Sequence, residues 1–156
     1  MKQFYDNMRA LRVFPFTAVI PVALIVILAV PAASAAETPQ HCDIQNASCI
    51  MRTNDGTVIE FDVRPKPVAA MIESTFVVIV IRNGKPVTDA SVQLDLSMPH
   101  MFMGKNQPIL HHVKDGRYEG KGVITRCASG RKTWQADITI GSDGKTAVAA
   151  FVFEVN

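Results

Sequence analysis

The densest group of chemistry-bearing residues is the run Leu96-Ser-Met-Pro-His-Met-Phe-Met-Gly104. Beyond residue 35 the chain has five methionines, and three of them, Met98, Met101 and Met103, fall within six residues here, with His100 among them. A thioether is a soft, weakly basic donor that resists protonation, and Cu(I) accepts it where hard ions do not. Imidazole binds either copper oxidation state. If the run stays extended, Met101 and Met103 share one face, because side chains two apart on a strand do. Met98 precedes Pro99 and is biased to an extended conformation too. His111 and His112 are the further candidates. Neighbouring strand residues face opposite sides, so only one of them can join a site built by the methionines. A hairpin between residues 96 and 112 would set its arms side by side and bring that histidine toward His100 or Met101. His41 reaches in only if the N-terminal segment folds back. The expected ligand set is therefore Met98, His100, Met101 and Met103, completed by His111 or His112, with copper as the metal and Cu(I) favoured.

Two blander readings stand beside this one. Methionine is an adaptable core filler, and exposed methionines make adhesive protein surfaces. The run could thus be a metal-free interaction module whose Met101, Phe102 and Met103 grip a partner, or simply part of the domain's own core. No nucleophile signature such as G-x-S-x-G occurs, and the expected protein is not an enzyme. Gly130-Arg-Lys-Thr133 lacks the upstream glycine spacing of a phosphate loop, and Gly120-Lys-Gly122 lacks the third glycine of a dinucleotide loop.

The cysteines are Cys42, Cys49 and Cys127. An oxidising compartment favours one disulfide and leaves one thiol over. All three pairings are open from sequence. The third cysteine is then either a buried small hydrophobe or a soft metal ligand.

The elements that must position these residues follow a leader. Lys2, Arg9 and Arg12 form a basic region, residues 13–30 carry no charge, and Ala33 and Ala35 stand in the A-x-A relation that a signal peptidase reads. Residues 1–35 are expected to be a helical signal peptide; the competing reading is an uncleaved anchor, near the lower length limit for a membrane span and disturbed by Pro15 and Pro21. The expected location is periplasmic or secreted, with membrane contact only if that segment is retained. Of the 16 basic and 14 acidic residues, three and one lie in this leader, so the remainder carries no net charge. A neutral domain without a long basic run has no electrostatic footprint for nucleic acid.

Residues 36–56 read as a polar, aperiodic mature leader. From residue 57 onward, β-type runs alternate with turn signals. Residues 57–63 and 90–96 alternate apolar and polar positions, with Val92, Leu94 and Leu96 facing inward. Residues 74–81 are almost continuously apolar and suit a strand covered on both faces. A shorter run follows at 109–113, and runs at 117–126, 133–140 and 146–155 complete the set. Asn83-Gly84, followed by Pro86, is a turn signal, and Asp115-Gly116 and Asp143-Gly144 are hairpin signals. About seven strands at regular spacing predict an all-β, immunoglobulin-like sandwich over residues 57–156, with Trp134 in its core. Asp115-x-x-Tyr118 partly matches a tyrosine corner.

A strand ending in Leu-x-Met-Pro-x-Met-x-Met-Gly, then Asp115-Gly-Arg-Tyr118, then Gly130 and Trp134 before a last strand, resembles the YtkA-like and FixH-like group of bacterial exported domains. That group is similar in outline to copper-resistance proteins of the CopC type. The resemblance covers roughly residues 57–155. It implies an immunoglobulin-like sandwich facing the periplasm and a role in copper handling or in assembling a copper-containing respiratory oxidase, with a membrane-bound or periplasmic copper protein as partner. The matching residues are Met98, Met101 and Met103, and His100 is a local addition. FixH-like proteins keep a membrane anchor, whereas this N-terminus reads as cleavable. CopC-type proteins commonly carry an N-terminal histidine for Cu(II), which has no equivalent at Ala36.

Overall fold

The computed structural model describes residues 38–101 and 103–156. The expected signal segment at 1–35, and the choice between cleavage and anchoring, lie outside the described residues. Among the described residues there is no helix, and ten strands form two sheets. They are β1 (Gln40–His41), β2 (Cys49–Arg52), β3 (Thr57–Arg64), β4 (Glu73–Arg82), β5 (Lys85–Pro86), β6 (Ser91–Ser97), β7 (His111–Lys114), β8 (Arg117–Val123), β9 (Thr133–Ser142) and β10 (Lys145–Glu154). One sheet runs β1-β10-β9-β6 and the other β2-β3-β4-β8-β7, with β5 paired to β4.

Taken in chain order, β3, β4, β6, β7, β8, β9 and β10 occupy the places of strands A to G in the immunoglobulin sandwich. β3-β4-β8-β7 gives the A-B-E-D sheet and β6-β9-β10 the C-F-G sheet. These seven are the strands the alternating pattern predicts. The β7–β8 and β9–β10 hairpins close where expected, at Asp115-Gly116 and Asp143-Gly144, and the turn at Asn83-Gly84 joins β4 to the short β5; both residues of each pair have positive φ. That conformation matches the right-handed twist of the flanking strands and favours Asn or Asp followed by Gly.

Period-2 alternation fills the space between the sheets. β9 alternates without a break, sending Trp134, Ala136, Ile138 and Ile140 inward. Phe61 of β3 meets Phe151 and Phe153 of β10 with ring centroids 5.9 and 5.8 Å apart, joining the two sheets at the centre of the core. Burying aromatic rings in such contacts contributes area plus about 0.5–1.5 kcal/mol per pair.

The segment expected to be a loose leader is built into the domain instead. β1 runs parallel to β10, with Gln40 opposite Phe151, while β2 pairs antiparallel with β3. The chain therefore crosses from one sheet to the other between them, and the Cys42–Cys49 disulfide clamps that crossing. Ile44 plugs the core with no exposed surface. The Gln45 side chain donates to the carbonyls of Val68 and Glu154 and accepts from the Val68 N–H. Lys66 donates to the carbonyls of Ile44 and Ala47 and pairs with Asp62. Cys49 and Met51 of β2 join Ile44 in the core, but the strand is only four residues long and Ile50 between them is exposed, so hydrophobic periodicity does not report it.

Tyr118 corrects a second expectation. It lies on β8, in the E position, and not at the start of the F strand where a tyrosine corner belongs. Its hydroxyl donates to the Val87 carbonyl and accepts from the Ala90 N–H, both at 2.9 Å. It thereby pins the crossover that leads into β6, the strand that delivers the methionine run.

Candidate metal centre

β6 carries its alternation one step past its end. Leu94, Leu96 and Met98 are all buried on the same phase, and Met98 is 2% exposed. This was readable: extending the inward series Val92, Leu94, Leu96 by two residues lands on Met98. Its thioether belongs to the core cluster, and a ligand set that includes Met98 would need it withdrawn from that packing.

The chain then reverses. The Met101 N–H donates to the Met98 carbonyl at 3.0 Å, with Pro99 and His100 at the two corners and His100 at φ +62°. Proline first and positive φ second define a type II turn. A non-glycine residue in that second position costs on the order of 1 kcal/mol or more. The turn leaves His100 exposed and returns Met101 toward the protein. Met101 and Met103 are each half-buried and pack on the core's edge. The turn thus separates Met98 from Met101 and Met103; Phe102, between those two, lies outside the described residues.

After the turn the chain runs back beside β6. The Leu96 N–H donates to the Asn106 carbonyl, and Ile109 bridges to Gln93. This return arm also crosses β8 at Gly120, where a Cβ would collide with the Ile109 carbonyl oxygen and the Leu110 side chain. The arms therefore lie side by side as the hairpin reading requires, but in a register that separates the histidines from the turn. Ile109 is already level with a residue five positions before Met98, about 17 Å of strand. His111 and His112 lie beyond it on β7. The His112 ring packs instead near Tyr118, with centroids 5.2 Å apart. His41 sits on β1, at the opposite edge of its sheet from β6. The structure thus groups His100, Met101 and Met103 on one short bend and places neither His111 nor His112 there.

A different residue meets the turn. The connection between β8 and β9 brings in Cys127, which is 5% exposed and outside the disulfide. Its Sγ lies 3.8 Å from the Met101 Sδ and 3.0 Å from the Ser129 Oγ. A tight bend, with the Gly130 N–H donating to the Cys127 carbonyl, fixes it there. The Ser129 hydroxyl and backbone N–H hold the thiol below its ordinary pKa against the opposing effect of burial. Beside it opens a cleft of about 280 Å³ lined by Cys127, Trp134, Arg126, Arg131 and Lys132 among others. Cys127 is 26 residues from Met101, and no local spacing joins them. Among the described residues, no group of three or more His, Cys, Asp or Glu side chains converges.

Two solved structures are among those matched to this chain. A DUF4785 family protein from Legionella pneumophila matches at 12% identity with a TM-score of 0.48, covering 64% of this chain and 28% of that one. The GAE domain of GGA2p from Saccharomyces cerevisiae matches at 14% identity with a TM-score of 0.34, covering 70% and 98%. The chain thus spans just over a quarter of the Legionella protein. No curated protein sequence matches it significantly. Over residues 53–126, which run from the β2–β3 turn to the residue before Cys127 and include the whole methionine turn, the chain matches the YtkA-like family.

Proposed function

We propose that this is an exported, non-catalytic domain that binds Cu(I) at the bend after β6 and carries or buffers it. The observation that supports this best is the type II turn, which keeps Met101 and Met103 half-buried beside an exposed His100. Thioethers so placed are reachable from solvent, yet rigidly based on β6. They are also neutral, so they hold Cu(I) without a fixed negative cage and can release it to a partner of higher affinity. The reading narrows the ligand set to Met101, Met103 and His100. An export route is supported by the Cys42–Cys49 disulfide, since such bridges persist in oxidising compartments. The partner consistent with carriage is a membrane-bound or periplasmic copper protein.

Anaerobic titration of the chain with Cu(I) against a chromophoric competing chelator tests the reading. The Met101→Leu/Met103→Leu double variant is near-isosteric and keeps the packing. It should lose affinity by at least tenfold, and His100→Ala by less. Unchanged affinity in the double variant, or no binding by the unaltered chain, refutes it. In that event the loop is better read as a metal-free adhesive surface.

A further inference from the structure

We propose that the copper site contains a thiolate: Cys127 Sγ and Met101 Sδ grip one Cu(I) between them. This deepens the copper reading above and rests on it. The two sulfurs come from separate connections, the turn after β6 and the β8–β9 bend, and stand 3.8 Å apart. Sulfur donors sit about 2.3 Å from a closed-shell d¹⁰ ion such as Zn²⁺, and Cu(I) has the same filled shell. Two sulfurs 3.8 Å apart at that radius subtend about 111° at the ion, close to the tetrahedral angle, so neither side chain has to move far. The remaining positions fall to donors of the same bend, the half-buried Met103 thioether and the exposed His100 imidazole.

Charge gives the second argument. A site made only of thioethers and imidazole holds a bare positive charge at a half-buried place, which is costly to keep out of water. One thiolate makes the unit neutral. In the binding step the Cys127 S–H bond breaks, a Cu–S bond forms, the proton leaves to solvent, and copper stays Cu(I) throughout. With Cys42 and Cys49 bonded to each other, Cys127 is the chain's one remaining thiol. The donor set is also soft, the class that suits Cu(I) and that hard ions such as Mg²⁺ and Ca²⁺ do not accept.

The test is anaerobic Cu(I) titration of the unaltered chain, Cys127→Ser and Met101→Leu, followed by near-ultraviolet absorption and by chelator competition. The unaltered chain should develop a sulfur-to-copper charge-transfer band that saturates at one equivalent. Cys127→Ser should lack the band and bind at least about 100-fold more weakly, beyond the ~10–100-fold that loss of a second-sphere partner costs. Thermal melts of the copper-free variants verify folding, and the band in the unaltered chain needs no variant at all. Binding without that band, or wild-type affinity in a folded Cys127→Ser, overturns the thiolate and leaves the methionine site standing. Failure of the unaltered chain to bind Cu(I) overturns both.

Discussion

Opening the Cys42–Cys49 bridge should loosen the whole sandwich, although the bridge closes only a short loop. The eight residues from Cys42 to Cys49 carry the chain from β1 in one sheet to β2 in the other. In the chain-entropy account a loop of that size contributes 2.1 + 1.5R ln 8, about 8 cal/mol/K, or about 2.5 kcal/mol at 25 °C. Unfolding about 120 residues carries an entropy of about 0.25 kcal/mol/K, so the loss corresponds to a fall in Tm of about 10 °C. The Ile44 plug and the Gln45 and Lys66 hydrogen bonds depend on the same loop, which makes this a lower bound. Calorimetry of the unaltered chain with and without reductant, beside Cys42→Ala/Cys49→Ala, measures it. Thiol counting on the denatured, unreduced chain should give one. A count of three, or a Tm within about 2 °C of the oxidised protein, would refute the assignment of the clamp.

Met98 and the turn residues should separate stability from metal affinity. Met98→Ala is expected to cost about 2–5 kcal/mol in urea unfolding because its side chain is sealed in the core. Met98→Leu should cost under about 1.5 kcal/mol and leave Cu(I) affinity unchanged, whereas a copper defect in that variant would return Met98 to the ligand set. Asp62 should impose an acid limb on stability. Burial pushes its carboxyl upward, but hydrogen bonds from Lys66 and Arg64 and from the Val63 N–H outweigh that and hold it below the ordinary aspartate value. The unfolded chain then binds the proton first, so the contribution is full above the unfolded pKa near 3.9 and disappears as pH falls through the lower folded value. Denaturant midpoints for the unaltered chain and Asp62→Asn should differ at pH 6 and converge below pH 3; a constant gap across that range would contradict the assignment.

Local chemistry made the framework legible. Alternation in β3 and β6, the continuous apolar run of β4 and the Asn-Gly and Asp-Gly turns mark out the seven strands of the sandwich, because those signals act within a few residues. The additions were invisible for the opposite reason. β1 and β2 have only two and four residues, and they are held by Ile44 and Met51 in the core, a bridge and side-chain hydrogen bonds to residues far along the chain. The site was half legible. Its methionine run and His100 stand out by composition, whereas the burial of Met98 follows only when the alternation of β6 is carried two residues further. The distance of His111 and His112 from the turn depends on register, about which the adjacency of two arms says nothing. Cys127 came with no spacing to any methionine, and only the fold of the β8–β9 connection sets it against Met101.

X-ray absorption at the copper K-edge of the anaerobically loaded, unaltered chain tests the central claim most directly. Binding on the bend after β6 predicts a Cu(I) edge and a first shell dominated by sulfur at about 2.3 Å, with at most one nitrogen. A shell made only of nitrogen and oxygen would place any bound copper elsewhere and contradict the account.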